Sequence, residues 1–153
     1  MGKAILPEAN LNLWFLIGKA NHTILLVRKK ELSQYNIPVR QLYVLRAIQT
    51  LGSKATLIEI ARTLDREYHV ISTQAIAMEK DGLIHRTKST PKSNLLKLEL
   101  TKKGADVVRA SGRSKSIDTI FSFLNETDRR HLEFTLGRII DSASKYKPDG
   151  QHF

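Results

Sequence analysis

Between Tyr68 and Gln74 the chain reads YHVISTQ, which sets a phenol, an imidazole, two hydroxyls and a carboxamide within two helical turns. On the outer side of a helix such groups match the base edges of a DNA major groove, where Ser, Thr and Gln form hydrogen bonds and a Thr methyl can meet thymine. Tyr68, His69, Ser72, Thr73 and Gln74 are therefore candidate base contacts. Around them, Arg62, Arg66, Arg86, Lys88 and Lys92 have the charge and reach to neutralise phosphates, and their collective signature is an affinity that falls steeply with salt. Thr56 and Asn94 complete the candidate phosphate and hairpin contacts.

The overall charge agrees. The chain has 153 residues, a formal net charge of +10 and a pI near 10.0, the balance of a protein with a polyanionic partner. The excess is local: between residues 84 and 104 stand Arg86, Lys88, Lys92, Lys97, Lys102 and Lys103 against Glu99 alone. There is no cysteine, which removes disulfides, thiolate metal sites and thiol-based sensing. His22, His69, His85, His131 and His152 are scattered without the i, i+4 spacing of a helical metal pair, so neither a metal site nor a cofactor is expected. No Gly-rich phosphate loop, nucleophile elbow or spaced triad points to an enzyme. The N-terminal apolar patch is interrupted by Glu8, Asn10 and Asn12, which argues against a signal peptide, and no window reaches the length of a membrane span; a cytoplasmic protein is expected.

The elements that must position these groups follow from periodicity. Residues 11–32 read as a long helix with Leu13, Leu16, Ile17, Ala20, Ile24 and Val27 at helical spacing, and its first half is apolar nearly all round. Pro38 breaks the pattern, and Val39, Leu42, Leu45 and Ile48 resume it until Gly52. Thr56 with Glu59 forms a capping box for a short helix striped by Leu57, Ile60, Ala61 and Leu64. After a tight polar turn at residues 65–67, Ile71, Ala75 and Met78 mark the core side of a second helix ending near Gly82, and the pair is a helix-turn-helix candidate. LIHRTK and LLKLEL read as strands of a hairpin, with Leu96, Leu98 and Leu100 on one face and a loop of several residues around Pro91, Ser93 and Asn94. Thr101 caps the next helix; residues 105–124 and, after an Asn125/Asp128 cap, 125–146 read as two long helices, and the tail from Lys147 reads as loose.

In this order the residues resemble the MarR family of transcription regulators. The matching positions are Asn36-Ile37-Pro38 with Gln41 and Leu45, then Thr56-Leu57 and Ile60-Ala61, then Met78-Glu79-Lys80-Asp81-Gly82-Leu83-Ile84 with Arg86, where the family pattern is roughly LEKxGLIxR, and finally Leu100-Thr101-Lys102-Lys103-Gly104 for its LTxxG. The resemblance spans nearly the whole chain. It implies a mainly α fold with a small β-hairpin wing: a single chain 1–153 with a winged helix-turn-helix at 37–104 and dimerisation helices at 8–35 and 105–146. One departure stands out. Where the family's wing carries an Asp followed by arginines, this chain has Lys92-Ser93-Asn94, so Lys88 and Lys92 are expected to give nonspecific affinity and Asn94 at most a weak minor-groove contact.

The expected function is a DNA-binding transcription regulator, a repressor acting as a homodimer on a palindromic operator. The apolar start of the first helix and the two terminal helices independently call for a second copy. The resemblance further implies a pocket for a small aromatic or phenolic effector, for which Trp14, His22, Tyr43 and Arg46 offer an aromatic wall and a polar handle. The competing expectation is a winged helix used for protein contact or for sequence-tolerant chromosome binding.

Overall fold

A computed structural model describes residues 7–147; the tail beyond them, with His152, lies outside the described residues. Helix α1 (Pro7–Leu32) is 26 residues long and begins before residue 11. A single 3-10 turn, Ser33–Tyr35, ends at Asn36 in the left-handed region at φ 51°, one of the few non-glycine types that accept it. Pro38 opens α2 (Val39–Leu51), which buries Gln41, Leu42, Val44, Leu45, Ala47 and Ile48.

Helices α3 (Leu57–Thr63) and α4 (Tyr68–Lys80) are joined by a tight turn through Asp65 at φ 52°. Thr56 caps α3 by accepting the Glu59 N–H at 3.2 Å. The expected capping box is only half formed, because the Thr56 N–H already donates to the Lys54 carbonyl at 2.8 Å and the Glu59 carboxylate turns to Arg62 instead. Ile71, Ala75 and Met78 form the buried side of α4, over Ile60 and Ala61 of α3.

Strands β1 (Ile84–Lys88) and β2 (Leu96–Leu100) pair antiparallel, Ile84 opposite Leu100 and Lys88 opposite Leu96. The Leu98 N–H donates to Ala55 O at 2.8 Å, which stitches the hairpin to the segment before α3. Thr101 then caps α5 (Lys102–Ser111) through the Gly104 N–H. Gly104 is required by a close approach: a Cβ there would press into the Leu83 carbonyl, to which the Thr101 N–H also donates at 3.1 Å.

The single helix expected over residues 105–124 is instead two, α5 and α6 (Lys115–Ile120), before α7 (Glu126–Ser144), which Asn125 caps through the Asp128 N–H. The break has a local part, Gly112 closing α5 and Ser114 capping α6 through the Ile117 N–H, and a tertiary part. Three carbonyls at the end of α5 are taken by donors from far along the chain: Ala110 O by the Tyr35 hydroxyl at 3.1 Å, Ser111 O by Arg28 at 2.7 Å and Gly112 O by Arg46 at 3.2 Å. Arg28 also bonds Glu31, whose carboxylate accepts from the Ser114 and Ser116 hydroxyls at 2.7 and 2.5 Å. The Ser116 hydroxyl, then that of Ser114, and behind them the Arg28 guanidinium hold the Glu31 carboxyl down to about 2.

The core runs from Leu32 to Val108 and is centred on Leu45, Leu57, Ile60, Ile71, Met78, Ile84 and Leu98. Outside it, the first half of α1 presents Leu11, Leu13, Trp14, Phe15, Leu16 and Ile17 to solvent, and α7 buries no residue at all. Beyond α7, Lys147 returns to pair with Asp65 in the turn between α3 and α4. Among the described residues no helix is long and apolar enough to cross a membrane.

Candidate nucleic-acid interface

The core side of α4 fixes its outer side. With Ile71, Ala75 and Met78 turned inward, the opposite stripe carries His69, Thr73, Ile76 and Lys80 at intervals of four, three and four, all exposed. Tyr68, 40% exposed, and the half-buried Ser72 flank this stripe at the start of the helix, and Ala77 flanks it on the other edge. The His69 ring meets Glu67 through Nδ1 at 3.0 Å. The Thr73 hydroxyl donates back to the His69 carbonyl at 2.9 Å.

Gln74 is not on this face. It stands three residues after Ile71 and four before Met78, and its Oε1 is buried without a donor among the described residues. It lines a cleft of about 510 Å³ behind the helix together with Arg40, Tyr43, Arg66 and Ile71. The expectation of an outward Gln74 is corrected by spacing that is visible in the sequence itself. The same spacing would have singled out Ile76 and Lys80, which sequence reasoning passed over.

The cations divide into engaged and unengaged groups. Arg86 lies on β1, but its Nε donates to Glu79 Oε2 at 2.7 Å and its backbone N–H to Glu79 Oε1 at 3.0 Å, so it ties the hairpin to α4. The Arg86 side chain, then its N–H, holds the Glu79 carboxyl below the usual carboxylate range. Lys97 pairs with Glu99 across 2.7 Å and lowers that carboxyl in the same way, and Lys103 donates to Asp81 O. Arg62 remains largely exposed although it bonds Glu59, and Arg66 is exposed at the foot of α4. Lys88 and Lys92 are exposed on the wing, with no ion pair among the described residues, and Asn94 is exposed beside them. Thr56 is half-buried and its hydroxyl is spent on the α3 cap.

Of the four residues proposed for a pocket, two are brought together. Tyr43 and Arg46 line a cleft of about 460 Å³ between α1, α2 and the α5–α6 junction, with Ile24, Leu25, Arg28 and Ile117. Trp14 lies tilted against Phe15, ring centroids 5.0 Å apart, on the exposed part of α1, and His22 is exposed as well; neither lines that cleft. Among the described residues no group of three or more His, Asp or Glu side chains is placed to hold a metal.

No protein-family model matches the chain, and no curated protein matches it in sequence. Solved structures do match it in shape. The organohalide-sensing transcriptional regulator RdhR, bound to 2,4-dichlorophenol, superposes with a TM-score of 0.84 at 22% identity, over 100% of this chain and 92% of that one. The S. aureus MepR–DNA complex gives 0.75 at 22% identity, over 84% and 94%. A mutant of E. coli MarR in complex with operator DNA gives 0.77 at 18% identity, over 89% and 99%. Helix order, hairpin and terminal helices together make this the winged-helix fold of the MarR transcription regulators.

Proposed function

We propose that the protein is a double-stranded DNA-binding transcription regulator, not an enzyme, and that it represses from a palindromic operator as a homodimer. The observation that carries this reading is the exposed stripe of α4 set beside a wing whose Lys88 and Lys92 are unengaged, in a fold whose solved examples include two bound to DNA. In such a fold α4 enters the major groove and the wing lies along the backbone. Two copies are called for by the apolar strip of α1 and by α7, which buries nothing, since a single chain leaves both facing water.

Footprinting on the intergenic duplex beside the protein's own gene tests the reading. The expected result is a protected palindrome with half-sites about one helical turn, roughly 34 Å, apart. Protection without sequence preference would favour the second reading, a sequence-tolerant chromosome binder or protein-contact module, to which the Lys92-Ser93-Asn94 wing tip gives weight. The ratio of specific to nonspecific affinity separates the two, at about 10³ or more for an operator binder. Sedimentation at micromolar concentration tests the homodimer.

A small-molecule effector fits the cleft of Tyr43 and Arg46, where an apolar floor meets guanidinium groups suited to a phenol or carboxylate. Loss of operator binding on adding chlorophenols or aromatic acids is the corresponding measurement.

A further inference from the structure

On the reading that α4 enters a major groove, the centre of its outer face is apolar. Ile76 is 54% exposed there, between Thr73 one turn before and Lys80 one turn after. A lone exposed isoleucine is ordinary on a protein surface and would carry no weight by itself. Its neighbours change that. Thr73 has given its hydroxyl proton to the His69 carbonyl at 2.9 Å, so what it offers outward is a methyl and an acceptor oxygen, with no donor. Ala77 adds a second methyl on the adjoining edge, and Gln74, the one carboxamide of the helix, is turned to the inner side. The middle of the reading face thus has little to donate in hydrogen bonds and carries the methyl groups of Thr73, Ile76 and Ala77 between His69 and Lys80.

We infer that Ile76, with the Thr73 methyl, is a specificity-determining residue that reads thymine through its C5-methyl group. Thymine is the base whose major-groove edge presents a methyl, and apolar contact is how that methyl is recognised. The flanking cation and the wing keep the patch against a polyanion, which makes a duplex a better occupant than another protein's apolar surface.

The test starts from a randomised duplex library selected with the full-length protein, which supplies a binding site whatever the natural operator is. Each thymine of that site is then replaced by deoxyuridine, which deletes the methyl and nothing else, at fixed salt. Wild-type protein is expected to lose affinity about three- to fivefold at one or two positions per half-site, the scale of one buried methyl. Ile76→Ala is expected to bind the unmodified site that much more weakly and to show no further loss at those positions, while Ile76→Val keeps the sensitivity. Because Ile76 is exposed, its variants should melt like the parent. Indifference of the wild type to every deoxyuridine, or equal sensitivity in Ile76→Ala, overturns the inference while leaving DNA binding intact. A library that enriches no sequence removes the operator reading and the inference with it.

Discussion

Glu79 holds Arg86 with both carboxylate oxygens, one on the guanidinium at 2.7 Å and one on the backbone N–H at 3.0 Å. The pair joins the end of α4 to the first strand of the wing, and adds to the backbone bonds that fix the hairpin against the helix. An arginine so engaged is a poor phosphate ligand. Arg86→Ala should lower the melting temperature while changing the salt slope of DNA binding by much less than the roughly 0.9 log unit of one lost phosphate contact. Glu79→Gln should reproduce the thermal effect without weakening the salt dependence. Parallel melts and salt titrations of both variants decide it.

Lys88 and Lys92 are the opposite case. Both are exposed on the wing without an acidic partner among the described residues. Replacing either with Ala should leave the melt unchanged, reduce the salt slope by about 0.9 log unit each and weaken binding alike across sequences. Asn94→Ala should barely alter which sequence is chosen. A fall in specificity rather than in general affinity would place the wing tip among the readers of sequence.

Gly104 sits where the start of α5 meets the turn between α4 and β1, against the Leu83 carbonyl. The oxygen is backbone and pinned by Thr101, so it cannot swing aside as a flexible side chain would. Gly104→Ala should destabilise by at least the roughly 3 kcal/mol at the upper end of ordinary overpacking. Chemical denaturation measures it.

The Glu31 hub predicts a dependence on pH. Its carboxyl is held at about 2 against an ordinary 4.5, so its stabilisation is complete above the ordinary glutamate range and drains away as pH falls from there through about 2. Glu31→Gln should cost roughly 1.5–3 kcal/mol at neutral pH, the scale of hydrogen bonds to a charged group. The difference between variant and parent should shrink steadily as pH drops below the ordinary glutamate value. A gap that stayed constant down to the folded-state value would show that the fold does not lower the Glu31 carboxyl at all.

The order of helices, the hairpin register and the core side of α4 were legible because each is written in local spacing: Ile71, Ala75 and Met78 recur at the helical period and Leu96, Leu98 and Leu100 alternate. The break between α5 and α6 was legible only in part, in Gly112 closing α5 and Ser114 capping α6; the donors that hold it, Tyr35, Arg28 and Arg46, reach carbonyls 66 to 83 residues away. Arg86 reads differently in sequence and in structure for a related reason. Its charge is visible in the sequence, but its partner Glu79 becomes a neighbour only when the chain turns at Gly82. Gln74 is another matter, since its own spacing from Ile71 and Met78 already sets it on the inner side.

The exposed strip of α1 also contains the chain's single tryptophan, Trp14, 65% open to water and beside Phe15. The molecule therefore carries its own optical gauge at the surface where a second copy is called for. Emission from that one indole reports whether the strip is wet or covered, with no label and no second fluorophore of its kind to disentangle. A red shift on dilution would give the association constant directly from the unmodified protein.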